Sequence, residues 1–570
     1  MAKECSEIPV ITFPIKRLQK FLPRINIDKI LEVIPFVGLD IEGIDAENLR
    51  IEYNPNRPDF SSQYGIVRAL KGLLEIEVGL PKFKLSTNNR YIIKVNESVK
   101  QLRPYIMSLV ATRKENLTNE DIKELITTQE DLHNGICRHR KKASIGIHNL
   151  DKVQFPLTFT TAEKNFSFVP LDRQYEYTIK KILDELDSGK EYGTILGDIE
   201  RYPVIVDSNS TVLSFPPIIN GNTTRLGSDI RNILVEVTAI NKHTAEDTIA
   251  IIAINLFDEG FDIHPVKIDY AKPRHKELTP NMKPKTMQVD ISYINQVLGT
   301  NLTRQEIFFC LKKCRLGAGL EPLKRERLNC SIPRYRTDIY NQIDIVEEAA
   351  LGYGIFNLQP SMPCSKTSGT KSETTKLFNA IREILIGMGM LEIINFSLVS
   401  KKVQFELVGA GNNIRNAISV DETKSTEYEV LRDSLIPSLL QTLSHNVHEE
   451  YPQRLFEIGK VFHRSDSIEE HWKVGVVIAY NSANYTVAKS TMQELVNGFF
   501  GPKYESAIST PAAYNAMFME GRCARIDFNE MNIGIIGEIS PMIVQNFKLR
   551  VPVAAIELDV SSFPEKLHRE

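Results

Sequence analysis

Apolar and polar positions recur in short blocks along the chain, and the period of each block predicts an element. Val10-Ile11-Thr12-Phe13 reads as a strand and Ile15 to Leu22 as an amphipathic stretch. Arg57-Pro58-Asp59 supplies a turn, with Asp59 or Ser61 as cap for a helix from Tyr64 to Leu73. The Pro/Lys-rich piece Leu80-Pro81-Lys82-Phe83-Lys84 reads as a linker. From about 90 to 265, β-rich runs such as Tyr91 to Val95 and Ile233 to Val237 flank helices such as Asp121 to Arg138, a mixture that implies an α+β domain. A second linker, Pro273 to Pro280, introduces a small module of helices with a strand pair. There Val289-Asp290-Ile291-Ser292 leads into a helix near Tyr293 to Leu298, and Thr303 with Glu306 forms a capping box for the next. From Gln342, Ile343, Val346 and Ala350 recur at helical spacing up to a stop at Gly352 or Gly354. After the Pro/Ser/Thr-rich stretch Pro360 to Thr375, a last domain holds a long helix, Glu373 to Met388, and strands at 391 to 398, 453 to 464 and 532 to 539. The pattern predicts an α+β multidomain chain divided at 1–85, 90–265, 280–355 and 365–570, with no internal repeat and no low-complexity segment.

Length agrees: 570 residues at a prior of ~150 per domain give about four. The formal net charge of -3 provides no global basic field, so any contact with RNA must use a local patch or a more basic partner. The run Arg138-His139-Arg140-Lys141-Lys142 is such a patch, or a solvated turn between helix and strand. Seven scattered cysteines, an odd number, predict reduced thiols in a cytoplasmic setting. Cys310 and Cys314 stand at i, i+4, but no CxxC or HxxxH accompanies them, so a helix core position is expected rather than a soft-metal pair. His133, His139 and His148 lack zinc spacing and read as surface or core residues. No run of ~18 apolar residues occurs, and Met1 to Cys5 leads into no signal-type apolar core; a soluble, unexported chain is expected.

The most unusual feature lies around the helix at 342. Asp344 stands three and four residues before Glu347 and Glu348, so three carboxylates share one face, and Asp338 precedes them in an extended stretch. Clustered like charges are relieved by arginine, by proton uptake or by a bound cation, and an all-oxygen set suits a hard ion such as Mg2+. The alternative is that Asp344, Glu347 and Glu348 complement the positive end of their helix while Arg334 and Arg336 pair the rest.

Residues 333 to 354 resemble the stretch "YRxDI…DIVEExAxxYGY" of the phenylalanine-tRNA ligase beta subunit, archaeal and eukaryotic type. Asn56 to Phe60 with Gly65 to Leu70 is similar to that family's "NRPDLLS…GIARAL", Arg140 to Lys152 to its "RKKxAIGxHDLDK", and Pro216 to Asn220 to its "PPIIN". Asn395 to Leu398, Leu431 to Leu439 and Leu455 to Gly459 resemble "NFSL", "LRNSLLPSLL" and "LFEVG". The matches keep the family's order.

The resemblance implies an N-terminal α+β domain, an editing-like α+β domain that binds tRNA, a small helical, winged-type module, and a class II synthetase-like antiparallel sheet with helices. It also implies a cytoplasmic assembly of two alpha and two beta chains acting on tRNA specific for phenylalanine, with no membrane. The alpha subunit would carry out ATP-dependent charging. In the last domain the second-motif-like strand reads Arg454 to Gly459, and the third-motif-like region Ile533 to Pro541 ends without the glycine-rich helix start and arginine. No catalytic residue for aminoacylation is therefore expected in this chain. Asn395-Phe396-Ser397 and Leu431 to Leu439 would be structural core segments. By the same resemblance Asp338, Asp344, Glu347 and Glu348 would hold Mg2+, its shell shared with the partner. Asn220, Glu236 and Thr238 would line a pocket that hydrolyses mischarged tyrosyl-tRNA. Three departures bear on that pocket: Gly221 replaces a usual serine, Glu236 an aspartate, and Ala239-Ile240-Asn241 a more polar run. A stand-alone hydrolase acting in trans and a non-catalytic tRNA-binding scaffold are the competing readings.

Overall fold

A computed structural model describes residues 9–87, 90–271, 275–321, 324–363, 367–421, 423, 425–500, 507–509, 516–528 and 531–561. Cys5, Cys364 and the first residues of the expected linker at 273 lie outside these. The chain forms two compact units, Met1–Met362 and Pro363–Glu570.

The first unit opens with a three-stranded antiparallel sheet in which Asn48–Tyr53 lies between Val10–Pro14 and Leu39–Ile44. Inward residues Phe13, Leu49 and Ile51 bury against Leu18, Ile30, Ile66 and Leu70 of the helices Ile15–Phe21, Ile27–Val33 and Gln63–Leu73. The cap of the last helix differs from expectation. Ser62, not Asp59 or Ser61, accepts from the Tyr64 amide, because Asp59 is buried and taken by a bidentate bond from Arg57.

A ten-stranded mixed sheet follows. Its centre runs Tyr91–Val95, Asp262–Tyr270, Tyr105–Thr112, Asn232–Ala239, Ala143–Asn149, and Ile219–Asn220 ends the opposite side. The helix Lys242–Asp258 buries every residue from Thr248 to Leu256, as an element enclosed on all sides must. Near its end, Asn255 and Asp258 accept from Arg68 of the N-terminal helix, whose guanidinium lies 4.3 Å from the ring centroid of Tyr335. The expected linker at 273–280 is instead largely strand. His275–Thr279 pairs with Asp262–Tyr270, and the buried Thr279 hydroxyl both donates to the Ser108 carbonyl and accepts from its amide. Pro280 follows the strand without entering the ladder.

The module from 285 has three strands rather than a pair, with Lys324–Ile332 between Lys285–Asp290 and Gly317–Glu321. The capping box of Thr303 and Glu306 is formed. The helix Gln342–Tyr353 stops at Gly354 at φ 93°, which needs no Cβ. Its buried face is Ile345, Val346, Ala349 and Ala350; Ile343 is 47% exposed. Cys310 is in the core as expected, and a Cβ on Gly352 would come within 2.1 Å of its carbonyl oxygen.

The second unit is a seven-stranded sheet, antiparallel apart from the edge pair of Leu391–Glu392 and Gln453–Arg464. Alternate residues of its strands bury on opposite sides. Val474, Val476 and Ile478 pack with the helices Glu373–Gly387 and Tyr485–Phe500, whereas Leu455, Val477 and Ala555 pack with Ile436–His445 and Pro541–Asn546. The expected strand at 391 to 398 is broken. After the ladder bond from Ile393 to Phe456, the side chain of Asn395 turns to Glu457, leaving Ile394 88% and Phe396 73% exposed. These two are surface residues, not core. Among the described residues no helix is long and apolar enough to cross a membrane.

Candidate functional site

Alternation along Asn232–Ala239 builds a buried polar cluster, the candidate pocket. Ile233, Val235 and Val237 join the core cluster that includes the long helix, which turns Leu234, Glu236 and Thr238 to the other face of the sheet. Opposite Glu236 stand Ser108 and Gly146, and opposite Thr238 stand Ile106 and Ser144. Small or polar residues therefore face Glu236 and Thr238 from the neighbouring strands.

Glu236 is 2% exposed. Its Oε1 accepts from the Ser214 hydroxyl at 2.9 Å, and Ser214 is paired in register with Asn220. Its Oε2 has no hydrogen-bond partner among the described residues, and the same holds for Nε2 of the buried His148. The other His148 nitrogen, Nδ1, lies 2.9 Å from the Thr224 hydroxyl. A Cβ on Gly146 would reach 2.4 Å from Glu236 Oε1 and 2.8 Å from His148 Nε2, so only glycine leaves room for these two side chains over the strand. Thr238 lies on the same face, but its hydroxyl is shared with Ser144 at 2.9 Å and Arg103 at 3.3 Å. Burial pulls the Arg103 guanidinium down to about 10 against the opposing charge of Glu236.

The structure thus brings Asn220 and Glu236 together through Ser214 and sets Thr238 one pair further along. Sequence reasoning missed Ser214 and Arg103. It read His148 as a surface or core residue; the side chain is buried and lies beside Glu236. The available signal was Ser144-Ile145-Gly146-Ile147-His148, in which small or polar residues alternate with apolar ones. Two of the three departures also have a local cause. A Cβ on Gly221 would lie 2.2 Å from the Val212 carbonyl oxygen, so the local backbone requires glycine. Ala239 turns to the helix side, Ile240 is 51% exposed, and Asn241 caps the long helix by accepting from Thr244.

The four carboxylates near 342 divide between two tasks. Arg336, 2% exposed, donates Nε and Nη2 to Asp338 at 2.9 and 2.6 Å, and Nη1 and Nη2 to Glu348 at 3.0 and 2.5 Å. Burial alone would raise the Asp338 carboxyl, but Arg336 and Arg57 outweigh it and hold it below its ordinary value. Asp344 accepts from the amides of Tyr340 and Asn341, both at 2.7 Å, as the return half of a capping box. Glu347 is exposed, and Arg334 is spent on Glu246 and Asp247. Among the described residues no group of three or more His, Cys, Asp or Glu is placed to hold a metal ion. Within this chain alone the four carboxylates do not converge, and arginine supplies the relief.

In the second unit the hairpin Gln453–Arg464 and Ile468–Ala479 has its concave side filled. Arg432 and Glu457, each almost fully buried, pair at 2.6 Å. A Cβ on Gly459 would meet Arg432 Nη2 at 2.2 Å, and one on Gly475 would meet Leu439 at 2.8 Å and Leu435 at 2.9 Å. Arg454 is exposed and directed to the Met388 carbonyl.

Comparison with known proteins gives three domain matches: the B3/4 domain at residues 87–255, the tRNA synthetase B5 domain at 287–355, and the phenylalanyl tRNA synthetase beta chain CLM domain at 358–560. The phenylalanine-tRNA ligase beta subunit of Archaeoglobus fulgidus is 36% identical over 557 residues, covering 98% of this chain and 99% of that protein. That of Methanocaldococcus jannaschii is 35% identical over 541 residues, covering 93% and 95%. An N-terminal fragment of the phenylalanyl-tRNA synthetase beta subunit from Pyrococcus horikoshii superposes with a TM-score of 0.57 at 28% identity, over 60% of this chain and 99% of the fragment.

Proposed function

Because this chain belongs to the family of phenylalanine-tRNA ligase beta subunits, components of an aminoacyl-tRNA ligase, we propose that it serves that assembly by editing and by docking rather than by charging. The observation that carries the editing role is the pair of orphaned buried atoms, Glu236 Oε2 and His148 Nε2, around one pocket. A buried polar atom without a partner costs about 1–3 kcal/mol, so such a pair is a standing demand for a ligand or a water. The phenol of a mischarged tyrosine can donate to Glu236; the ring of phenylalanine cannot. A single hydroxyl would then separate the two amino acids, with Ser214 fixing the carboxylate and Asn220 at the edge.

Charging would be carried out by the alpha subunit on tRNA specific for phenylalanine, with ATP. Arg432, Leu435 and Leu439 occupy the space over Gly459 and Gly475 in which a nucleotide would lie on a class II-like sheet. The exposed Leu391, Ile394 and Phe396 form a surface suited to the alpha chain, in an assembly of two alpha and two beta. The cysteines at 137, 310, 314, 330 and 523 are free thiols, which suits the cytoplasm. Mg2+ on Asp338, Asp344, Glu347 and Glu348 is proposed only for the assembled enzyme, where Asp338 and Glu348 would have to exchange Arg336 for the ion. Its contribution would be charge neutralisation at a subunit contact.

The experiment is a deacylation assay on the purified assembly with tRNA carrying either tyrosine or phenylalanine. Faster hydrolysis of the tyrosyl product supports editing, and equal rates overturn it. Subunit status is tested separately, since co-purification with an alpha chain in equal amounts distinguishes a ligase component from a stand-alone hydrolase.

A further inference from the structure

The helix Asn119–Asn134 is followed by a backbone feature that its sequence does not announce. Arg138, His139 and Arg140 take φ values of 48°, 50° and 62°, three successive left-handed residues with no glycine among them. Such residues usually occur singly, because their Cβ crowds the neighbouring carbonyl. A run of three persists only where its surroundings over-determine it.

Those surroundings are the walls of the pocket. Arg140 donates to the carbonyls of Pro217 and Ile218 at 3.3 and 3.2 Å and to Glu130 at 3.0 Å, and its guanidinium lies 4.3 Å from the ring centroid of Tyr192. Pro217 and Ile218 lead directly into Asn220. The Lys142 amide donates to Cys137, and the Lys142 carbonyl accepts from Ile240, just past the strand of Glu236 and Thr238. The turn therefore bridges the hairpin that carries Ser214 and Asn220 and the strand that carries Glu236. It leaves Arg138, His139 and Lys141 exposed at the pocket margin.

We propose that this left-handed basic turn is the phosphate-binding element that holds the terminal backbone of an RNA substrate at the pocket, with Arg138 and Lys141 as contacts and Arg140 as a positioning residue. The proposal rests on the editing reading for what the pocket receives. The chemistry is charge pairing with backbone phosphates, which is insensitive to base sequence and weakened by salt.

The test uses the assembled enzyme and an acceptor-stem minihelix with a single-stranded 3′ end. Arg138→Gly combined with Lys141→Ala keeps the left-handed backbone while removing both charges. Roughly tenfold weaker minihelix binding is expected, with the plot of log affinity against log salt flattened by about 1.5 to 2, as two lost phosphate contacts require. Thermal stability should stay level or rise, and Arg138→Lys should restore most of the binding. Unchanged affinity and salt slope in the double variant would overturn the proposal. Glu236→Ala separates the two readings: it should abolish tyrosine-specific hydrolysis while leaving minihelix affinity intact. If the unmodified enzyme shows no such hydrolysis, the editing reading fails, and the binding arm still decides the turn.

Discussion

Nε2 of His148 lies 4.0 Å from Oε1 of Glu236, in a pocket where both side chains are buried and neither has its hydrogen bonds complete. The carboxylate is anchored on one oxygen by Ser214 and left open on the other. That asymmetry is what a receptor for one added hydroxyl requires.

Glu236→Gln should reduce hydrolysis of tyrosyl-tRNA by roughly tenfold, the factor that ~1.4 kcal/mol represents, because an amide is a weaker acceptor than a carboxylate. Phenylalanine charging should be unchanged. Parallel deacylation and charging assays check this, and equal loss of both would remove Glu236 from a specific role.

Restoring the family's usual serine at position 221 should not improve editing. With Val212 O only 2.2 Å from the new Cβ, Gly221→Ser must displace the hairpin that carries Ser214. A loss of about 1–3 kcal/mol in stability is expected, together with slower hydrolysis. Denaturant melts and deacylation rates test it; a stable variant with faster hydrolysis would contradict it.

The carboxylates near 342 should respond unequally. Arg336→Met leaves Asp338 and Glu348 buried without their counter-charge and should cost about 3–5 kcal/mol in the isolated chain. Glu347→Ala, at an exposed position, should leave that stability within ~0.5 kcal/mol. If Mg2+ joins this site in the assembly, Glu347→Ala should still lower metal content by elemental analysis. Unchanged metal and unchanged assembly would leave Arg336 and Arg57, with no metal ion, as the relief for Asp338 and Glu348.

The contributions of two buried carboxyls to stability should fall as pH rises from about 4 to 8. Burial pushes the Asp131 carboxyl up to about 6, with Glu130 adding to it and the Tyr53 hydroxyl opposing. Burial, Glu124 and Asp121 push Glu259 up to about 8, against Arg113 and Arg17. A carboxyl raised in the folded state binds more protons there than in the unfolded chain, so its contribution is complete below the ordinary pKa and is lost as pH climbs through the raised one. Glu259→Gln should flatten melting curves recorded across this range, by an amount on the order of 1 to 3 kcal/mol between its ends. A slope identical to that of the parent chain would sink this assignment.

The chain purified without any alpha subunit should give no phenylalanine-dependent exchange of pyrophosphate into ATP. Arg432 and Leu439 already occupy the surface over Gly459 and Gly475. Exchange activity in a preparation free of other synthetase chains would contradict this.

Local signals were legible where one short-range rule governs. Thr303 with Glu306 and the first strand at Val10 were readable from spacing, as was a stop at Gly352 or Gly354, of which the structure uses Gly354. Elements decided by distant partners were not. His275–Thr279 has the composition of a linker and becomes a strand because it pairs with Asp262–Tyr270, its end held by Thr279 on Ser108, 171 residues earlier in the chain. Ile343 and Phe396 follow an apolar pattern yet lie at the surface, since periodicity reports a face but not what covers it. Of the candidate site, Glu236 and Asn220 could be named from sequence, while Ser214 and the left-handed turn follow from a hairpin and a backbone that no local pattern encodes.

The bonds from Arg68 to Asn255 and Asp258, with Tyr335 lying over the same guanidinium, make the B3/4 domain a poor cassette for transplantation. A chimera that imported residues 87–255 from a distant relative would split this contact, keeping Arg68, Asp258 and Tyr335 from one parent and Asn255 from the other. Exchange between lineages should succeed when residues 68, 255, 258 and 335 travel as a set, and the cheapest design check for any hybrid is whether that quartet comes from a single ancestor.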